Sequence, residues 1–141
     1  MAGYSGTPLP KKLGIKEDCR VLLVNPPPNF VNVLGELPAG VNVQVNDRTG
    51  PAFDVILFFT ESLAQLRMQF PKLSRRLVPN GGFWVAWPKR GSGVATDLSE
   101  NLVREVGLDA GLVDNKVCAV DLTWSGLRFV IRLQDRPRKP A

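Results

Sequence analysis

The segment with the clearest chemical potential is Lys89-Arg90-Gly91-Ser92-Gly93, in which two cations precede a Gly-Ser-Gly turn. Backbone N–H groups in such a turn can wrap an anion together with the cationic side chains. The spacing lacks the full pattern of a phosphate-binding P-loop. A surface loop with solvated charges also explains these residues. We predict a ligand contact along this run and keep the surface loop as the alternative.

Trp124 and Ser125 stand in a five-residue link, 122–126, between two strand-like runs. An indole in such a link can stack on a base or on another flat ligand. The alternative is a ring that folds down over the end of the sheet and joins the core. We predict that both residues contact a ligand.

The residue types exclude several kinds of chemistry. The chain has no histidine, which removes the commonest general base and the commonest metal ligand. Cys19 and Cys118 match no zinc spacing, and Cys118 lies in an apolar run where a thiol behaves as a small hydrophobe. Asp97 and Glu100 have the spacing of a helix cap. We therefore assign no catalytic residue and no metal site.

Length and composition are those of one globular domain. The chain has 141 residues, of which 44% are hydrophobic and 22% charged. No apolar run approaches the ~20 residues that span a bilayer, and the N-terminus lacks the apolar stretch of a signal peptide. We expect a cytoplasmic protein without membrane contact. The net charge of +5 permits contact with phosphate or nucleic acid.

Hydrophobic patterning predicts the strands that position these residues. Unbroken apolar runs at 20–25, 55–59 and 83–87 are typical of strands buried on both faces. The alternating run 41–45 is typical of a half-buried edge strand. Each central run ends in polar or turn-forming residues, so four parallel strands are expected.

The helices and the final strands follow from local signals. A short helix is predicted after Asn29, and capping-box spacings at Ser62-x-x-Gln65 and Asp97-x-x-Glu100 predict two more. Runs 116–121 and 127–133 are separated by only five residues. Because a parallel crossover needs a longer connection, these runs are expected to form an antiparallel hairpin.

The resulting order is β-α-β-β-α-β-α-β-β. It predicts a three-layer, Rossmann-like α/β domain with a mostly parallel sheet of about six strands and a C-terminal antiparallel hairpin. We assign this domain to residues 17–134, an extended N-terminal arm to residues 1–16, and a basic tail without fixed structure to residues 135–141.

Ligands of open parallel sheets collect beyond the carboxyl ends of the strands, at the point where the strand order reverses. Asn25 ends the first predicted strand and Thr60 follows the third. Loop 89–93 follows the fourth strand, and the link 122–126 lies at the same edge. We therefore predict one rim built from these four segments, with Asn25 and Thr60 in the site.

The string Leu77-Val78-Pro79-Asn80-Gly81-Gly82-Phe83-Trp84-Val85 resembles the L-x-P-G-G-x-hydrophobic sequence before the fifth strand of class I S-adenosylmethionine-dependent methyltransferases. An acidic residue before a buried strand and the closing hairpin are also similar to those enzymes. The resemblance covers about residues 20–133. It implies a methyltransferase-like fold.

A second resemblance runs nearly end to end, to an uncharacterised bacterial family. It rests on Tyr4-Ser5-Gly6-Thr7-Pro8-Leu9, Lys12-Leu13-Gly14-Ile15-Lys16, Trp87-Pro88-Lys89, Leu112-Val113-Asp114-Asn115-Lys116 and Trp124-Ser125-Gly126-Leu127-Arg128. The resemblance to that family implies no particular activity.

The chain departs from the methyltransferases where its first strand ends. Those enzymes carry a glycine-rich turn there, which lets the backbone approach the cofactor. Here the strand runs into Asn25-Pro26-Pro27-Pro28, and prolines remove N–H donors and add bulk. The nearest acid after the second strand is Asp47, in a turn. We therefore predict no cofactor and argue against S-adenosylmethionine.

These observations favour a non-catalytic, methyltransferase-like module that binds a small anionic or nucleotide-like ligand or a protein partner. A divergent S-adenosylmethionine-dependent methyltransferase is one alternative. A nucleic-acid-binding accessory domain, using the basic tail and Lys89-Arg90, is the other. The oligomeric state stays open.

Overall fold

A computed structural model describes residues 7–137 of the chain. Residues 1–6 of the predicted arm and residues 138–141 of the predicted basic tail lie outside the described residues. The helices are α1 Leu9–Leu13, α2 Phe30–Leu34, α3 Leu63–Ser74 and α4 Glu100–Asp109. The strands are β1 Arg20–Val24, β2 Asn42–Val45, β3 Phe53–Phe59, β4 Leu77–Pro88, β5 Leu112–Ala119 and β6 Trp124–Ile131. Within residues 7–137 no helix has the length and apolar character needed to cross a membrane.

The six strands form one sheet in the order β2-β1-β3-β4-β6-β5. Strands β2, β1, β3 and β4 are parallel to one another, and β6 runs antiparallel to both β4 and β5. The predicted α/β, Rossmann-like fold with its C-terminal hairpin is therefore confirmed. The strand order reverses between β1 and β3, because the chain moves outward to β2 and then returns to the other side of β1.

Helices cover both faces of the sheet, which explains why the central strands are apolar on both sides. On one face α3 and α4 pack Leu66, Phe70 and Val103 against the sheet. On the other face the short helices α1 and α2 contribute Leu13 and Phe30. Each face of the sheet therefore has its own hydrophobic core, and the buried side chains of β3 lie alternately in one core and the other.

The N-terminal segment is folded onto the sheet where an extended arm was expected. Residues Leu9–Leu13 form a helical turn that ends at Gly14, whose φ of 81° is the left-handed conformation that favours glycine. The indole Nε1–H of buried Trp84 donates to the Leu13 carbonyl oxygen at 3.0 Å. Leu13 and Ile15 are buried. Helix propensity alone would not fix the position of so short a segment. The burial of Leu13 and Ile15 does.

Two predicted helix starts have different outcomes. Ser62 caps α3 as expected, because its hydroxyl accepts from the Gln65 N–H at 3.2 Å. Helix α4 instead begins after Ser99, whose hydroxyl accepts from the Leu102 N–H at 3.3 Å. Asp97 lies outside α4, and its carboxylate accepts from the Leu63 N–H of α3 at 2.9 Å. A side chain distant in sequence thus satisfies an orphan donor of α3.

The hairpin link is shorter than predicted, because β6 already begins at Trp124. Asp121 Oδ1 accepts from the N–H groups of Thr123 and Trp124, both at 2.8 Å, and closes a tight turn. Strand β5 also begins earlier than expected, at Leu112, and a register shift between Asp114 and Lys116 leaves Asn115 as a β-bulge.

Candidate functional site

The carboxyl ends of the parallel strands meet at one edge, here called the rim. The rim comprises Asn25 after β1, Thr60 after β3, loop 89–93 after β4 and the turn between β5 and β6. Strand register fixes this convergence. Thr60 N–H donates to the Ala86 carbonyl at 3.0 Å, and Lys89 N–H donates to the Thr123 carbonyl at 2.7 Å.

Loop 89–93 is shaped by its two glycines. Gly91 and Gly93 have φ values of 84° and 88°, and this backbone conformation favours glycine at both positions. Ser92 N–H donates back to the Lys89 carbonyl at 3.1 Å, and its hydroxyl accepts from the Val94 N–H at 3.3 Å. These bonds use some of the loop's own donors. The Lys89 and Arg90 side chains remain the cationic groups of the loop.

This loop borders a pocket of about 560 Å³, here called the rim pocket. Its lining is Trp87, Pro88, Lys89, Arg90, Gly91, Val94, Ala95, Thr96, Leu98, Ser99, Glu100 and Ser125. The volume falls within the usual range for small-molecule sites. The wall from Trp87 and Leu98 is apolar, whereas Lys89, Arg90 and Glu100 contribute charged side chains to the lining. The pocket therefore presents an apolar surface and charges of both signs.

Three hydrogen bonds fix the wall of the rim pocket that Thr96 and Glu100 form. Thr96 Oγ donates to the Glu61 carbonyl at 2.7 Å and accepts from the Leu98 N–H at 3.0 Å. Glu100 Oε2 accepts from Arg104 Nη2 at 2.7 Å. The hydrogen bond that Arg104 donates to Glu100, followed by the one that it donates to Asp114, raises the pKa of Arg104 above its ordinary value. Oε2 of Glu100 is thus engaged by Arg104, whereas Oε1 makes no hydrogen bond to a described residue.

The structure brings four of the nine predicted site residues to this pocket. Lys89, Arg90, Gly91 and Ser125 line it, and Ser92 and Gly93 continue the same loop. Thr60 is only 3% exposed, and its hydroxyl lies 2.6 Å from Gln65 Oε1. Trp124 is 8% exposed and meets the Phe59 ring edge-on, with centroids 5.2 Å apart. The packing of the indole matches the alternative stated for it, a ring in the core.

Asn25 lies at the exit of β1, apart from the rim pocket lining. Its N–H donates to Asn46 Oδ1 at 2.8 Å, and both asparagines have positive φ, 54° and 57°. Asparagine tolerates this left-handed conformation better than most residues. Because Pro26, Pro27 and Pro28 carry no N–H, this exit offers few backbone donors.

Asp47 follows β2 and is held in a turn. Its Oδ1 accepts from the Thr49 hydroxyl at 2.6 Å and from the Thr49 N–H at 3.0 Å. The hydroxyl contact, then the backbone contact, lowers the pKa of Asp47 below its ordinary value of 3.8. The carboxylate therefore stays charged and stabilises the turn.

Sequence reasoning missed the wall formed by Thr96, Ser99 and Glu100. Glu100 was assigned to a helix cap with Asp97, and the other two were given no role. The available signal was position, because only six residues, 94–99, separate loop 89–93 from the first turn of this helix. Among residues 7–137 no group of three or more His, Cys, Asp or Glu side chains could hold a metal ion.

Comparison with known proteins supports the fold. No protein-family model matches the chain, and no curated protein matches it in sequence. The chain is similar to a solved SAM-dependent methyltransferase from Aquifex aeolicus, with 18% identity, a TM-score of 0.60 and coverage of 86% of this chain and 87% of that one. It is also similar to the ribosomal protein L11 methylase of Lactobacillus delbrueckii subsp. bulgaricus, with 11% identity, a TM-score of 0.61 and coverage of 88% and 75%.

A third similar structure bears on the cofactor. It is the magnesium protoporphyrin IX methyltransferase of Synechocystis PCC 6803 with bound SAM, at 9% identity, a TM-score of 0.56 and coverage of 88% and 74%. The inference against S-adenosylmethionine was therefore wrong, because a protein of this fold is solved with that molecule bound. The prolines remove donors at the end of β1 only, and the rest of the rim keeps its polar groups. The chain has the fold of class I S-adenosylmethionine-dependent methyltransferases.

Proposed function

We propose that this chain binds a nucleotide-like small molecule in the rim pocket, with S-adenosylmethionine as the first candidate. The observation that carries the proposal is the mixed charge of a 560 Å³ pocket at the carboxyl edge of a methyltransferase-type sheet. S-adenosylmethionine has a carboxylate, an ammonium group and a flat adenine. A pocket with cations, a carboxylate and an apolar wall can accommodate all three.

The lining residues suggest how such a ligand would be held. Lys89 and Arg90 would bind its carboxylate, since charge-assisted hydrogen bonds are the stronger ones. The free oxygen of Glu100 would accept from its ammonium group or ribose hydroxyls. Trp87, which is 5% exposed, contributes to the apolar wall beside Leu98. When bound, S-adenosylmethionine would supply an electrophilic methyl group.

Calorimetric titration with S-adenosylmethionine and S-adenosylhomocysteine tests the proposal. We expect saturable binding of one molecule per chain, weakened about tenfold by Arg90→Gln or Glu100→Gln, since each removes one charged contact. Arg75→Gln is the matched control, because Arg75 is an exposed cation in the turn after α3, at the opposite end of the sheet. Absence of heat with both compounds would end the proposal.

Methyl transfer is a second candidate function, favoured by the methyltransferase activity named for the similar solved structures. Production of S-adenosylhomocysteine by the wild-type chain with small-molecule or protein acceptors, and its loss in Arg90→Gln, would support transfer. Tight binding without turnover across such acceptors would instead support a binding module.

A further inference from the structure

A second cleft, rich in positive charge, lies at the other end of the sheet. It has a volume of about 380 Å³ and is formed by α1, the turn after it and the amino-terminal parts of β3 and β4, with β5 and β6 beside them. Five cations line it: Lys11, Lys12, Lys16, Lys116 and Arg128. The one lining carboxylate is Asp54, whose Oδ2 accepts from the Arg20 N–H at 2.8 Å. This is the basic cleft.

The fold itself assembles these cations. Lys116 Nζ donates to the Lys12 carbonyl at 2.9 Å, and Trp84 donates to the next carbonyl, that of Leu13, at 3.0 Å. These two bonds hold the end of α1 against the sheet. The lysines before and after Leu13 are thereby brought beside Lys116 and Arg128, which lie about a hundred residues later in the sequence.

Glycine at position 82 makes room for the guanidinium of the cleft. A Cβ at Gly82 would overlap the Arg128 guanidinium, which crosses from β6 over β4. Arg128 Nη1 donates to Asn115 Oδ1 at 3.3 Å, and Asn115 is the bulged residue of β5. The bulge and the glycine therefore both position Arg128.

The charge of Arg128 is poorly compensated by the protein. Within residues 7–137 both ion pairs shorter than 4 Å belong to Arg104, so Arg128 has no carboxylate partner there. Burial, and then the nearby charge of Arg136, lowers the pKa of Arg128 below its ordinary value. Partial burial of a cation without an anion costs free energy. A bound anion would offset that cost.

The geometry points to the basic cleft as a binding site for an oligophosphate, either inorganic pyrophosphate or the phosphate chain of a nucleotide. A guanidinium fork matches phosphate oxygens in a bidentate way, and lysines add point charges. The side-chain amides of Asn80 and Asn115 offer neutral hydrogen bonds in the same lining. The volume, at the small end for ligand pockets, suits a compact anion. This site is separate from the rim pocket and does not depend on its function.

Calorimetry of the full chain with pyrophosphate, ATP and sulfate tests the inference. We expect one pyrophosphate per chain, weaker binding at higher salt, and sulfate at least about tenfold weaker because it engages fewer of the cations. Tighter binding of ATP than of pyrophosphate would identify a nucleotide as the source of the phosphates. Equal binding would identify the phosphate chain alone. Both results support the site.

Variants locate the binding. Arg128→Gln and Lys116→Gln should each weaken pyrophosphate about tenfold. Because both side chains make structural hydrogen bonds, Lys16→Gln is the third variant; Lys16 is exposed and its ammonium makes no hydrogen bond or ion pair to a described residue. Lys72→Gln, which removes an exposed cation of α3, is the matched control and should change nothing. Thermal unfolding confirms that each variant is folded.

Four results would overturn the inference. One is the absence of pyrophosphate and ATP binding to the wild-type chain. Another is an unchanged affinity in a folded Lys16→Gln, Lys116→Gln double variant. The third is equal weakening by Lys72→Gln, which would show that only the overall charge matters. Binding of an RNA oligonucleotide that pyrophosphate does not displace would also contradict an oligophosphate site.

Discussion

Trp84 and Leu13 are joined by a buried hydrogen bond that connects the centre of the sheet with the first helical turn. The indole Nε1–H donates to the Leu13 carbonyl at 3.0 Å across 71 residues of sequence. Trp84 is fully buried, and it lies opposite Arg128 in the pairing of β4 with β6. The Trp84 side chain therefore supplies a hydrogen-bond donor to the last carbonyl of α1. It also lies beside β6, the strand that carries the guanidinium of the basic cleft.

Trp84→Phe should destabilise the protein because it leaves the Leu13 carbonyl without its donor. A buried acceptor that loses its partner costs about 1–3 kcal/mol. The free energy of unfolding, measured in urea, should fall by that amount beyond the effect of lost volume. Trp87→Phe is the control for volume, since the Trp87 indole makes no hydrogen bond to a described residue and is also buried. Equal losses in the two variants would contradict the role of the hydrogen bond.

Asp97→Ala should remove a helix cap that comes from outside the helix. Its carboxylate accepts from the Leu63 N–H at 2.9 Å, at the first position of α3. Loss of a capping acceptor costs about 1 kcal/mol. Glu105→Ala removes an exposed carboxylate from α4 and should have a much smaller effect. A shift of equal size in the urea midpoints of the two variants would show that charge, rather than the cap, matters.

Gly107→Ala should destabilise the protein although alanine favours helices. A Cβ at position 107 would overlap the ring of Phe129, which is fully buried. Overpacking of a core typically costs about 1–3 kcal/mol, and the gain in helix propensity is at most about 1 kcal/mol. Adding Phe129→Leu should recover part of the loss in a double-mutant cycle measured by thermal unfolding. Strict additivity of the two changes would contradict the overlap.

Thr49→Ala should raise the pKa of Asp47 towards 3.8. The Thr49 hydroxyl is the larger cause of the lowered pKa, and the backbone N–H remains in the variant. Because the folded pKa lies below the unfolded one, this contact stabilises the fold above about pH 4 and its contribution is lost as the pH falls through the folded pKa. Carbon-detected NMR titration of the Asp47 carboxyl checks the shift. Ser92→Ala, at a distant hydroxyl, should leave the Asp47 titration unchanged.

Except for α1, the order and direction of the elements could be predicted, because each central strand is apolar on both faces and each connection has a clear length. Helix boundaries were harder. Asp97 has the right spacing for a cap, yet Ser99 is the cap of α4. The carboxylate of Asp97 accepts instead from Leu63 of α3, a tertiary contact that the spacing along the chain does not indicate.

The glycine pair of β4 shows the limit of motif reasoning. Gly81-Gly82 belongs to the string that resembles the methyltransferases. Glycine at position 82 also has a structural reason in this chain, because a Cβ there would overlap the guanidinium of Arg128. That contact joins β4 to β6 and leaves no periodic signal along the chain. The basic cleft went unpredicted for the same reason, since its cations come from segments that only the folded sheet brings together. Asn115 preceded the predicted strand 116–121, and it lies in β5.

The bulge at Asn115 also has a consequence for association between copies of the chain. Strand β5 is one edge of the sheet, and a long regular edge is a template for further strand pairing. Here the bulge interrupts the ladder and is followed by exposed Lys116, while the opposite edge, β2, is only four residues long. Irregular or charged edges resist the addition of another strand. The residue that orients Arg128 therefore also protects the domain against aggregation along its sheet.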